Sequence, residues 1–215
     1  MKMTTVFCVK RLVKVLPFYL FTFLLLTGCS ESTEEEVEFD NWQDRNEAFF
    51  STLEDSLKNN TANWLRIKSY SLDQEMEGKA TDYIYAKVIN SGDGTESPMF
   101  TDSIRVSYLG RLLPSASYPE GYTFDSTVYG TYSSKTNDTA KFLISSLTDG
   151  FATAVQHMHR GDYWRIYVPS ELGYGKTGTT GIPAYSVLVF DLTLIDFCSP
   201  GTTMPEYTSR EMRGE

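Results

Sequence analysis

Gly173-Tyr174-Gly175, the Thr/Gly loop from Lys176 to Gly181, Ile182-Pro183 and then Val187-Leu188-Val189-Phe190-Asp191 form the most informative stretch of this 215-residue chain. An aromatic hydroxyl, a glycine-rich flap and a buried strand stand side by side in it. It contains no nucleophile and no general base. Such a set suits chemistry that needs an apolar, shaped pocket and one or two placed polar groups, and not proton transfer.

Working outward, Ile104, Val106 and Tyr108 alternate with Arg105 and Ser107, the period of a half-buried strand with Tyr108 on its apolar face. Further strands are expected over Tyr83 to Ile89, Phe142 to Ile144, Trp164 to Val168 and Val187 to Phe197, with a short helix over Leu147 to Met158. Trp64 to Tyr70 reads equally as a strand or an extended connector. Leu113 to Gly121, with Pro114, Pro119 and Gly121, is a loop. Four to six antiparallel strands with one helix across them make an α+β half-barrel.

Several pieces recur in order along this region: Tyr108-Leu109-Gly110, Phe124-Asp125-Ser126, Gly150-Phe151, Gly161-Asp162, Tyr174-Gly175 and Leu188-Val189-Phe190-Asp191. Together they resemble the FK506-binding (FKBP-type) family of peptidyl-prolyl cis-trans isomerases, over roughly residues 80 to 197. The resemblance implies an FKBP-like antiparallel β-sheet half-barrel wrapped on one short helix, here preceded by an N-terminal amphipathic helix. It also implies rotation of Xaa-Pro bonds by an aromatic pocket, without covalent or acid/base chemistry and without a cofactor.

Matched to the family motif, Tyr174, Asp125, Phe151 and Thr148 are the expected catalytic residues, and Tyr108, Phe124, Phe142, Leu147, Ile182 and Phe190 the expected substrate-binding ones. The residue types make sense on their own, because a proline ring is a compact apolar object that aromatic walls bury well. Phe151 is expected as the floor, and the Tyr174 hydroxyl and the Thr148 backbone N–H as hydrogen-bond donors. The chain departs from the family in having Phe151 where the floor is usually Trp, Ala140 where a wall aromatic is common, and Thr179 and Thr180 where the flap carries a His.

The N-terminus reads as an export signal. Lys2, Lys10, Arg11 and Lys14 precede an apolar run from Val15 to Leu26, shorter than the roughly 20 residues of a membrane span. It ends in Leu26-Thr27-Gly28-Cys29, which resembles a bacterial lipobox, so Cys29 is the expected lipid-attachment residue. The expected organisation is a lipoprotein signal peptide (1–28), an acidic tether (29–40), an N-terminal helical extension (41–79), the isomerase domain (80–197) and a C-terminal tail (198–215).

Removal of residues 1–28 leaves 15 basic against 28 acidic residues, a net charge of −13. That excludes the basic stripes of nucleic-acid binding and disfavours adsorption to anionic lipid, so lipid and not charge holds the chain to its membrane. Cys198 is then the single remaining thiol, and no intramolecular disulfide forms. The expected location is the bacterial cell envelope, on the periplasmic face of the outer membrane or at the cell surface. Expected partners are proline-containing unfolded or exported polypeptides, and macrolide inhibitors.

Trp42, Phe49, Phe50, Leu53 and Leu57 recur near helical spacing between Asn41 and Lys58, with Asn41 as N-cap. This stripe must be buried, on the following domain or on a second copy. His157-Met158-His159 has metal-ligand residue types but no supporting carboxylate or Cys set, so no metal is expected. Two other readings compete with the isomerase: a catalytically weak chaperone or protein-binding lipoprotein of the same fold, and a carbohydrate-binding surface motivated by 14 tyrosines. Asp102-Ser103-Ile104 also resembles a short O-glycosylation signal.

Overall fold

A computed structural model describes residues 38–57, 62–133 and 137–206. The expected signal peptide, Cys29, most of the acidic tether and the end of the C-terminal tail lie outside the described residues.

In chain order the elements are α1 (Trp42–Leu57), β1 (Trp64–Lys68), β2 (Tyr83–Asn90), β3 (Ser103–Arg111), β4 (Thr123–Ser126), β5 (Ala140–Leu143), α2 (Asp149–Val155), β6 (Tyr163–Val168) and β7 (Leu188–Cys198). The sheet is antiparallel throughout, in the order β1-β2-β6-β7-β3-β4, and β5 also pairs with β3. β4 and β5 share one edge of β3: Ser103 to Val106 pair with β5, and Leu109 to Arg111 pair with β4. The loop between them bonds back to β3, Thr127 N–H donating to the Tyr108 carbonyl at 3.0 Å.

Alternation along these strands sorts residues to two faces. On one face Ile104, Val106, Ile166, Val168, Leu188, Leu192 and Leu194 are fully buried, in one apolar core with Ala152, Ala154 and Val155 of α2. Small residues let this short helix lie close to the strands. A Cβ added at Gly150 would stand 2.3 Å from Val168 Cγ1, so the helix start has room for glycine alone.

Over β2 and β6 the opposite face is covered by α1. Phe50 meets Tyr85 edge-on at 5.2 Å, Phe49 lies 5.9 Å from Tyr167, and Trp64 of β1 stacks on Tyr167 at 5.8 Å. The stripe of α1 is therefore buried within the chain. Asn41, expected as N-cap, directly precedes the helix with a left-handed backbone (φ 50°), and its carbonyl accepts the Arg45 N–H at 3.0 Å.

Trp64 to Tyr70, ambiguous in sequence, supplies the edge strand β1, paired with β2 from Trp64↔Lys87 to Lys68↔Tyr83. The stretch 41–79 thus contributes both a helix and a strand to the same folded body as the remainder of the sheet. The seventh strand beyond the expected four to six is β4, whose four residues are too few to show a period. The helix expected over Leu147 to Met158 is shorter, running from Asp149 to Val155 after a 3-10 turn at Ile144–Ser146.

Candidate functional site

One cavity of about 360 Å³ opens on the α2 side of the sheet, and all ten residues singled out in the sequence line it: Tyr108, Phe124, Asp125, Phe142, Leu147, Thr148, Phe151, Tyr174, Ile182 and Phe190. Ser146, Thr179 and Thr180 complete the lining. Thr179 and Thr180 stand in the flap already noted for its missing His. Ser146 is placed there by the 3-10 turn Ile144–Ser146 before α2, which carries no sequence signal.

Phe190 organises the aromatic part. Its ring stands edge-on to Phe151 at 5.0 Å and to Phe124 at 5.5 Å, both at interplanar angles of 89°. Tyr108 closes the set, 6.1 Å from Phe151 and 5.9 Å from Phe142. Perpendicular packing aligns the positive edge of one ring with the negative face of the next, which holds apolar walls in fixed orientations. β3 and β7 are register neighbours here, Gly110 opposite Phe190, and a Cβ at Gly110 would stand 2.7 Å from the Phe124 ring and 2.8 Å from that of Phe190. The glycine of the Tyr-x-Gly motif is the space those two rings occupy.

Polar groups are few and placed. The Tyr108 hydroxyl donates to Asp125 Oδ2 at 2.6 Å, joining β3 to β4 across the pocket wall. Burial, and then the Asp125 carboxylate, push the Tyr108 phenol well above its ordinary range, so it remains a neutral donor. Asp125 Oδ1 also accepts the Ser126 N–H at 2.9 Å. Tyr174 is 40 % exposed at the pocket mouth. Thr148, in extended conformation (φ −62°, ψ 150°), forms the corner where the 3-10 turn hands over to α2.

The flap closes on itself through a two-residue turn: Thr179 N–H donates to Ile182 O and Ile182 N–H to Thr179 O, each at 2.9 Å. Ile182 is buried against the pocket while Thr179 and Thr180 remain at its rim. Ala140 pairs with Val106 at the start of β5, and neither it nor any residue of the loop 113–121 lines the cavity.

Behind Phe190, on the sheet face turned away from the pocket, Asp191 is 2 % exposed and accepts from Arg165 Nε and from Arg111, each at 2.8 Å. Tyr132 stacks on Tyr163 at 4.7 Å and shares a hydrogen bond with Thr193 at 2.7 Å. Burial, with Asp191 adding to it, pushes the Tyr163 phenol up to about 12. This cluster secures β3, β6 and β7 to one another and does not reach the cavity.

The competing features fall elsewhere. His157 Nδ1 lies 2.9 Å from the Thr153 carbonyl, His159 faces Asp162 at 3.6 Å, and Met158 between them is fully buried. Among the described residues no group of three His, Cys, Asp or Glu is placed to hold a metal. Trp42 and Trp164 are buried and Trp64 is stacked on Tyr167, so none of the three tryptophans offers an exposed platform for a sugar. Asp102 and Ile104 are buried on either side of the half-buried Ser103, which begins β3 and pairs there with Leu143 and Cys198. A second hollow of about 480 Å³, beside Trp64 and Leu65, has its one cation, Arg66, engaged by Glu54 at 3.4 Å and by the Tyr85 hydroxyl at 3.3 Å. Among the described residues no helix is long and apolar enough to cross a membrane.

Comparison with known proteins converges on the same region. Residues 94–195 match the family of FKBP-type peptidyl-prolyl cis-trans isomerases. The FKBP-type 22 kDa peptidyl-prolyl cis-trans isomerase of Escherichia coli is 34% identical over 111 residues, covering 51% of this chain and 48% of that protein. The outer membrane protein MIP of Legionella longbeachae is 33% identical over 110 residues, 51% of this chain and 42% of that one. The chain thus spans about half the length of the curated relatives it matches. Among solved structures, a peptidyl-prolyl cis-trans isomerase from Pseudomonas syringae superposes with a TM-score of 0.53 at 21% identity, covering 75% of this chain and 96% of that one, a similarity of fold.

Proposed function

We propose that this chain, which carries an FKBP-type domain over residues 94–195, is a peptidyl-prolyl cis-trans isomerase acting on proline-containing segments of unfolded or exported polypeptides. The observation that carries the reading is the gathering of ten residues matched to the family motif, spread from Tyr108 to Phe190, around one aromatic cavity.

The reaction requires rotation about an amide whose resonance sets a barrier of about 18–20 kcal/mol. The planar amide is strongly dipolar and the twisted one less so. An apolar pocket therefore favours the twisted form over the planar one, which is the differential binding that lowers a barrier. In this reading Phe151 is the floor beneath the proline ring, Phe190 and Phe124 are its walls, and Ile182 closes it from the flap. The Tyr174 hydroxyl and the Thr148 backbone N–H hold the flanking peptide carbonyls, so that rotation is confined to one bond. Asp125, fixed by the Tyr108 hydroxyl, faces the rotating carbonyl. No residue gains or loses a proton, so the rate should follow no pKa of the pocket.

Phe151 in place of Trp preserves an aromatic floor edge-on to Phe190. Ala140 lies outside the lining, which leaves Phe142 as the aromatic on that side; macrolides, larger than a proline ring, are expected to bind more weakly for lack of the wall. The acceleration of cis-to-trans conversion in short Xaa-Pro peptides by residues 30–215 tests the reading, beside the double variant Tyr174→Phe, Phe151→Ala. Acceleration by the parent chain and its loss in the variant is the expected result. A folded parent without acceleration, across several residues before proline, would refute it.

We further propose that residues 1–28 are removed, that Cys29 carries lipid, and that the acidic tether holds the folded body at the bacterial envelope. The lipobox-like Leu26-Thr27-Gly28-Cys29 supports this, as does the name of the Legionella relative, an outer membrane protein. Incorporation of labelled fatty acid that disappears in Cys29→Ser is expected, with the variant released from the membrane fraction. Equal labelling of the variant would contradict it.

A further inference from the structure

The helix α1 lies on the sheet face opposite the cavity, yet its first turns reach the end of the flap. Trp42 Nε1–H donates to Ser186 Oγ at 2.8 Å, and Ser186 Oγ–H donates onward to the Pro183 carbonyl at 2.7 Å. Pro183 directly follows Ile182, which lines the pocket. One turn further along α1, Asn46 accepts the Val187 N–H at its Oδ1, 2.8 Å away, while its Nδ2–H donates to the Trp42 carbonyl at 2.7 Å. Trp42, Asn46 and Ser186 are 5 %, 0 % and 3 % exposed, so water does not compete for these bonds.

Between the two anchors the backbone is forced. Tyr185 adopts φ 61°, a left-handed conformation that bulky residues rarely take, and its N–H donates to the Gly175 carbonyl at 2.9 Å. Such a turn persists where its surroundings over-determine it, and such sites cluster at functional elements. Here the surroundings are α1 on one side and the Tyr174-Gly175 turn on the other.

We propose that α1 is a strut for one wall of the pocket, with Trp42, Asn46 and Ser186 as positioning residues that hold Ile182 and the flap in the conformation that receives the substrate. The proposal rests on the reading of the cavity as a proline site. It gives the N-terminal extension a role in the reaction: a pre-formed wall spares the substrate the cost of ordering the flap on binding. Removing the strut should weaken substrate capture and leave the bond-rotation step little changed, because none of the three residues lines the cavity.

The test compares Ser186→Ala and Trp42→Phe, singly and together, with the parent chain in two measurements. Ser186→Ala removes one buried hydroxyl and keeps the helix packing, so it reports even if the tryptophan variant folds poorly. The first measurement is amide hydrogen exchange at Ile182, Tyr185 and Val187, expected to be about tenfold faster in each variant with the strands unchanged. The second is isomerase kinetics on a short Xaa-Pro peptide, where KM is expected to rise severalfold at nearly constant kcat, and the double variant to be no worse than the poorer single one. Unchanged exchange in the flap overturns the strut. Faster exchange with an unchanged KM overturns its role in substrate capture, and a fall in kcat at constant KM does so equally. Should the parent chain show no isomerase activity, the function fails, and exchange alone decides whether α1 holds the flap.

Discussion

Gly110 shows at the level of single atoms why a motif has the residues it has. Phe124 and Phe190 press onto its backbone, and an added methyl would stand less than 3 Å from both rings. Gly110→Ala is therefore expected to displace the two walls and to lower kcat/KM by about tenfold or more, since each 1.4 kcal/mol of misfit in the transition state is one factor of ten; parent-like kinetics would show that the walls do not shape the pocket. Tyr108→Phe tests the other contact. It deletes a 2.6 Å hydrogen bond to a carboxylate, a loss of about 1.5–3 kcal/mol measurable as a shift in the urea midpoint. The sequence already displayed both residues as Tyr-x-Gly, and alternation put Tyr108 on the apolar side. The reason for the glycine was not readable, because the rings that crowd it come from residues 14 and 80 positions downstream and only the register of β3, β4 and β7 brings them there.

At the scale of elements, the strands with a clear period and the amphipathic helix were legible to within a few residues. What α1 covers was not. An apolar stripe says only that something apolar lies against it, and the partner proves to be the outer face of the chain's own sheet. Asn46 is a residue type mostly found exposed, yet it is fully buried with both side-chain ends bonded. Asn46→Ala leaves the Val187 N–H buried without that acceptor and is expected to cost about 1–3 kcal/mol of stability. Phe50→Ala, which empties the contact with Tyr85, is expected to cost about 3–5 kcal/mol. Denaturant unfolding checks both, and a cost below 0.5 kcal/mol for Phe50→Ala would mean that α1 is not part of the cooperative fold (~0.5 kcal/mol being the usual range of surface substitutions). β1 remained undecided in sequence because it is an edge strand of five residues with only Ile67 fully turned inward, too short for alternation to be distinctive.

For the whole molecule, the pH dependence of stability and that of activity should part company. Tyr163 keeps its proton in the folded chain up to about 12, held by burial and by Asp191, against an ordinary value of 10.0. Tyr108 and Tyr132 are raised in the same direction, each chiefly by burial. A raised folded pKa stabilises the fold fully below the unfolded value and less as pH climbs through the folded one. Thermal stability is thus expected to fall between about pH 10 and 12, and Tyr163→Phe to flatten that fall; an unchanged slope in the variant would show that this phenol does not contribute. Activity below that window should be independent of pH, because no pocket residue exchanges a proton in the reaction. The residues around the pocket were legible in the sequence as a set, since aromatic and glycine types recur in a recognisable order. Their geometry was not, because it is fixed by strand register and by the turn at Ile144–Ser146.

The most direct test of an isomerase that works without proton transfer is the rate of cis-to-trans conversion of short Xaa-Pro peptides by residues 30–215, measured across roughly pH 5 to 8, where His is the one side chain that ordinarily titrates. Clear acceleration with a flat pH profile, abolished by Tyr174→Phe with Phe151→Ala, is the expected result. No acceleration by the folded chain, or a rate that titrates in that range, would contradict an apolar pocket that works without proton transfer.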